Sequence, residues 1–333
     1  MEGSLVNPRM QKKKDFWKIT LTAMATAMLA TVCSLPAHAV ALSNDAQSAI
    51  PQYVQQLIDI DYRAMENSPT AMQMKARLLP PQLKQLEDAL GQSGLNTNQD
   101  IDSLCFVAYR PNNNDSETRT LGIAQGQFSV SQILANFKHK HIQPLKIRNN
   151  SIYPMGASGM LVTFLNPTTM LFGSLDALRP ALDARDGQAP SLQSNSQMMS
   201  AMQSVQSQPI WSVLDQKGTQ FMMRSLLGQA SQLADFDALK DRLLSSDYTM
   251  NFNNGVKFAM NVNTPDTITA ATMSSLLNAA VLYEKLSGTP IEKQALAATN
   301  IDSSAGTLEV HFATTDDEFA SLLSSPLFQS VVK

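Results

Sequence analysis

Residues 248–262 read YTMNFNNGVKFAMNV. Two alternating runs, Tyr248 to Phe252 and Val256 to Val262, flank Asn253-Asn254-Gly255. Asn-Gly supplies the positive φ of a tight hairpin turn, and a period of two turns one face of each strand toward a core. The stretch therefore predicts an antiparallel hairpin. Thr264-Pro265-Asp266 follows and opens a helix, with Pro at its favoured first position, that runs to about Leu286.

The same grammar recurs on both sides. Upstream, Leu104 to Tyr109 and Thr118 to Phe128 form a hairpin around the polar loop that starts at Pro111, and Met160 to Leu165 and Met170 to Gly173 form another around Asn166-Pro167-Thr168-Thr169. Leu145 to Arg148 and Ser151 to Pro154 flank a turn at Asn149-Asn150. Ile210 to Leu214 reads as a strand, followed by helices over Thr219 to Ala230 and Phe236 to Leu244, and Thr307 to Ala313 alternates as a strand. Three times a strand runs almost directly into a capped helix: GQFSVSQIL (126–134), LFGSLDAL (171–178) and FATTDDEFASLL (312–323). Thr315 and Glu318 in the last have capping-box spacing. The fold class that follows is α+β, with two related halves, each an antiparallel sheet with hairpins backed by helices.

An N-terminal helical segment, residues 40–98, precedes them. Gln52 to Met65 and Ala71 to Leu79 carry apolar residues at three- and four-residue spacing, and Gln82 to Leu90 resumes after Pro80-Pro81 and ends at Gly91. The first half then covers 99–187 and the second 209–333. Between them, residues 188–208 (QAPSLQSNSQMMSAMQSVQSQ) are a Ser/Gln/Met-rich linker with a short amphipathic pattern at Met198, Met199, Met202 and Val205.

The first 39 residues read as a secretory signal peptide. Lys12, Lys13, Lys14 and Lys18 precede an uncharged run, Ile19 to Leu35, and Pro36-Ala37-His38-Ala39 supplies an A-x-A cleavage pattern. Met10 is an alternative start. Uncleaved, roughly 17 such residues reach the short edge of a spanning helix and leave the leader as the chain's membrane contact. Cleavage after Ala39 sends the chain to the periplasm or the exterior. It removes five of 25 basic and two of 28 acidic residues, so 20 basic and 26 acidic residues remain, a net charge of −6. Such a chain is poorly suited to bind nucleic acid through its phosphates. Only Cys105 remains, in the strand-like run Ser103 to Tyr109, where a lone Cys reads as a small buried hydrophobe. No disulfide is available, so the core must stabilise the chain.

Catalytic motifs are missing. Gly156-Ala157-Ser158-Gly159 has the wrong spacing for a nucleophile elbow, and no H-E-x-x-H, Walker loop or C-x-x-C occurs. Asp59 and Asp61 read as a solvated helix edge. Asp316, Asp317 and Glu318 read as charges favoured at a helix N-terminus. His311 shares a strand face with Glu309 and points to solvent. FKHKHIQPLKIR (137–148) places His139 and His141 two residues apart. In a strand that spacing puts both rings on one face about 7 Å apart and can chelate a metal; in a helix they point about 200° apart and cannot. The run reads as a basic helix end that complements the dipole, with a docking patch including Lys146 and Arg148 as the alternative. Met199 and Met202 offer thioethers that suit Cu(I), and equally a packing stripe.

The sequence thus points to an exported, non-enzymatic binding or scaffold protein with no cofactor, whose partner is a protein or envelope component. Two alternatives stand beside it: a carboxylate-dependent hydrolase of unrecognised type, and a copper- or zinc-handling protein built on His139, His141, Met199 and Met202.

Overall fold

In a computed structural model, residues 41–78, 81–113, 117–155, 159–227 and 236–325 are described. All of them belong to one compact unit, Ala39–Lys333. The leader, Gly156 to Ser158 and the end of the helix expected to reach Ala230 lie outside the described residues.

The first part of the chain holds α1 (Asn44–Ser48), β1 (Val54–Asp61), α2 (Tyr62–Met65), α3 (Pro69–Leu78), α4 (Pro81–Gly91), α5 (Thr97–Asp100), β2 (Ile101–Tyr109) and β3 (Arg119–Gly126). Then come α6 (Val130–His139), β4 (Leu145–Ile147), β5 (Asn150–Met155), β6 (Met160–Asn166), β7 (Thr169–Gly173), α7 (Leu175–Arg185) and α8 (Ser196–Val205). The second part holds β8 (Ile210–Leu214), α9 (Gln216–Leu227), α10 (Phe236–Leu239), β9 (Ser245–Asn251) and β10 (Val256–Asn263). It ends with α11 (Thr267–Ser287), α12 (Pro290–Ala297), β11 (Thr299–Ser304), β12 (Thr307–Thr314) and α13 (Asp316–Leu322).

All twelve strands form one antiparallel sheet, in the order β11-β12-β10-β9-β8-β1-β2-β3-β7-β6-β5-β4. The two related halves are visible in that order. Each begins with a three-strand meander, β1-β2-β3 or β8-β9-β10. A helical crossover follows, and the last strand, β7 or β12, returns to pair with the third. A capped helix, α7 or α13, ends each half; Ser174 accepts from Ala177 N at 3.3 Å, and Thr315 and Glu318 form the expected capping box. The first half adds the β4–β5 hairpin. The halves do not have separate sheets, because β1 and β8 pair side by side at the centre.

β1 is the main correction to the sequence reading. Residues 54–61 (VQQLIDID) form the central strand, paired with both β2 and β8, where a helix was expected. Its apolar residues at 54, 57, 58 and 60 fit three- and four-residue spacing. A bulge between Val54 and Gln56 breaks the alternation that would have announced a strand. The segment 40–98 is therefore part of the sheet and not a helical preface.

Asp59 and Asp61 are each 1 % exposed, not a solvated edge. Asp61 caps α2, accepting from Ala64 N at 2.8 Å. Asp59 lies opposite Cys105 and Trp211 in the register. Its Oδ1 and the Trp211 Nε1 are buried with no hydrogen-bond partner among the described residues. Burial, reinforced by Asp61, pushes the Asp59 carboxyl well above its ordinary 3.8. The folded state thus keeps a proton that the unfolded chain has released. This stabilisation is fully present below 3.8 and is lost as pH rises through the raised folded value. Asp59→Asn is expected to stabilise the fold at neutral pH by on the order of 2 kcal/mol and to gain little in acid. Melting temperatures of both proteins across an acid-to-neutral series check this. Asp247 is also raised by burial and leaves a residual slope of the same sign.

The two sheet faces are covered unequally. On one face, α1, α7 and α8 pack on Leu57, Cys105, Val107, Ile123, Trp211 and Val213. Residues 188–208, read as a linker, contribute Leu192, Met198, Met202 and Val205 to this core. On the other face, α4 and α6 cover the first half, α9 and α11 the second, and α2, α3 and α13 pack together beneath β8–β10. Buried Gln125 holds the residue that caps α1, accepting from Ser43 N at 2.7 Å.

Candidate functional site

An opening of about 610 Å³ lies between α4 and the sheet. That is within the range of roughly 300–1,000 Å³ usual for small-molecule sites. Adjacent β2, β3 and β7 place Phe106, Gly122 and Phe172 in one row, since Phe106 pairs with Gly122 and Gly122 with Phe172. The two rings meet edge to face, centroids 6.0 Å apart. Gly122 makes this floor possible: a Cβ there would lie 2.1 Å from the Phe172 ring. Leu83 of α4 and Met160 of β6 complete the apolar wall. Leu83 and Phe172 also line a second, narrower space of about 20 Å³ under α4, with Leu86, Leu90, Leu104 and Met170. That space holds little more than one water.

The rim is polar: Glu117, Thr118, Arg119, Ser174 and Asp176. Arg119 Nη1 donates to the Asp176 carbonyl at 3.0 Å. Its Nε is buried with no hydrogen-bond partner among the described residues, and the guanidinium lies against the Tyr109 phenol. Behind it, Tyr109 donates to the Ala177 carbonyl at 2.9 Å, and burial pushes its phenol up to about 12. The cleft thus combines an apolar floor with a polar rim that carries the Arg119 guanidinium.

The residues singled out from the sequence lie elsewhere. His139 is the last residue of α6, and Lys138, His139, Lys140 and His141 are all exposed. Lys140 N and His141 N bond back to Asn136 and Lys138, and His141 takes a left-handed φ of 55°. Met202 is buried and Met199 packs against the same core. No group of three or more His, Cys, Asp or Glu suited to a metal ion occurs among the described residues. His311 is exposed beside Glu309, 3.7 Å away. Cys105 is fully buried, and burial followed by the Asp59 charge raises its thiol, which removes the thiolate a nucleophile needs. Asp59 and Asp61 face away from the cleft, on the sheet side that carries Cys105 and Trp211. Sequence reading missed the cleft because Phe106, Gly122 and Phe172 are far apart in the chain. The one signal was a Gly in the middle of a strand, which marks a close approach.

The architecture is an α+β fold built on a single antiparallel sheet. No protein-family model matches the chain, and no curated protein does. Solved structures resemble it in outline. Crystal form I of TP0453 is 10 % identical, with a TM-score of 0.45 over 87 % of this chain and 98 % of that one. Crystal form III is 10 % identical, with a TM-score of 0.47 over 84 % and 97 %.

Proposed function

We propose that this is an exported, non-enzymatic binding protein that holds a small molecule with an apolar body in the cleft beneath α4. The observation that carries this reading is the Phe106–Phe172 floor laid over Gly122. The ligand body lies on the two rings, where its apolar surface leaves water. A polar head on the ligand meets the rim, where the Arg119 guanidinium offers a charge-assisted hydrogen bond to an acceptor. Export rests on the leader and its A-x-A site.

The test is a titration of the purified protein with the fluorescent apolar amine N-phenyl-1-naphthylamine. One saturable site is expected, and Met160→Glu should weaken it at least roughly tenfold. Absence of saturation, or an unchanged variant, sinks the proposal.

A second reading has one observation in its favour. Glu117 and Asp176 line the same rim, as a carboxylate hydrolase would need. Both are exposed, without the contrasting buried and solvated settings that divide acid from base. Turnover of glycosides or esters that disappears in Glu117→Gln would replace the binding reading with this one.

A further inference from the structure

Helix α11 spans 21 residues, with Glu284 and Lys285 its only charged ones. One side, with Met273, Leu277 and Ala280, is buried against Met260, Val262, Leu308 and Val310. The opposite side points to solvent, yet Ile268 is 80 % exposed, Leu282 64 % and Leu286 80 %. A surface helix normally turns its polar face that way. Ile268, Thr272, Ser275, Ala279, Leu282 and Leu286 follow one another at spacings of four, three, four, three and four. That is the seam of a coiled coil without its second helix.

We propose that this face docks antiparallel on the same face of a second copy of the chain. Reversing the seam about a two-fold axis pairs Ile268 with Leu286, Thr272 with Leu282 and Ser275 with Ala279. Bulky residues then meet at both ends, and small ones at the centre let the backbones approach. The charges agree with this direction. Asp266, the N-cap of α11, is half-buried and ion-paired with Arg242 at one end, and Glu284 and Lys285 lie at the other. Antiparallel docking brings Glu284 and Lys285 within about a turn of the Arg242–Asp266 pair of the second copy, where Lys285 can meet Asp266 and Glu284 can meet Arg242, and it opposes the helix dipoles. A helix of this length offers a strip of about 31 by 10 Å, roughly 300 Å² per copy. A standard stable interface needs about 800 Å² per partner. The area therefore fits a weak dimer that forms with rising concentration.

Sedimentation velocity of the purified protein tests this. The weight-average mass is expected to climb toward twice the monomer value as concentration rises. Leu282→Glu/Leu286→Glu should keep the wild-type melting temperature, because both side chains are exposed, and weaken dimerisation at least roughly tenfold. Oxidation should link Ile268→Cys/Leu286→Cys into dimers. Ile268→Cys alone should stay monomeric, since antiparallel docking holds the two copies of that residue about 27 Å apart. The wild-type chain controls for its own cysteines. A monomer at every concentration overturns the proposal, as does cross-linking through Ile268→Cys alone. Flotation with phosphatidylglycerol vesicles that needs Leu282 and Leu286, without any rise in mass, overturns it in favour of a lipid-facing helix.

Discussion

Asp215→Ala is expected to destabilise the protein by about 3 kcal/mol, because it strands a buried charge. Arg110 follows β2 in the first half and Asp215 follows β8 in the second. Arg110 Nη2 donates to Asp215 Oδ2 at 2.6 Å, and the arginine side chain is only 6 % exposed. The strand between them holds both backbones: Arg110 N donates to the Tyr53 carbonyl at 2.9 Å and Asp215 N to the Gln55 carbonyl at 3.0 Å. The other Asp215 oxygen caps α9, accepting from Gly218 N at 2.8 Å. Alanine therefore removes a cap worth about 1 kcal/mol and leaves a guanidinium out of water without its carboxylate. Thermal unfolding should shift down by roughly 5–10 °C for a chain of this size. Asp215→Asn, which can still cap, should recover part of the loss. An unchanged melting temperature in Asp215→Ala would show that the junction of the halves does not depend on this pair.

Gly122→Val is expected to abolish binding in the cleft. The first added atom already falls 2.1 Å from the Phe172 ring, so the ring must leave the floor. Displacing a packed aromatic in this way costs about 1–3 kcal/mol of stability. The larger effect is on the naphthylamine titration, where affinity should fall more than roughly tenfold. Phe172→Ala in the Gly122→Val background relieves the clash and should restore stability without restoring the site. Binding that survives Gly122→Val would locate the ligand elsewhere.

Legibility in the sequence followed the range of the interactions involved. The 248–262 hairpin was readable because its turn is made by its own residues: Asn254 and Gly255 take φ of 58° and 92°. The helices starting at Ser174 and Thr315 were readable for the same reason, since a cap bonds three residues ahead. β11 and α12 were not anticipated. β11 (TNIDSS) has no apolar stripe and is an edge strand defined by its pairing with β12. β1 was misread because its two aspartates look like the polar side of a helix, whereas both faces of a central strand are covered by neighbours that lie far away in the chain.

By itself the sequence determined the α+β class, the twofold recurrence of strand and capped helix, the leader pattern, and the placement of Cys105 in a strand. These depend on local turns, caps and periodicity. Only the tertiary structure decided that the two halves share one sheet, that Asp59 is buried at its centre, and that Phe106, Gly122 and Phe172 meet under α4. Register between strands separated by many residues brings those groups together, and no spacing along the chain records it.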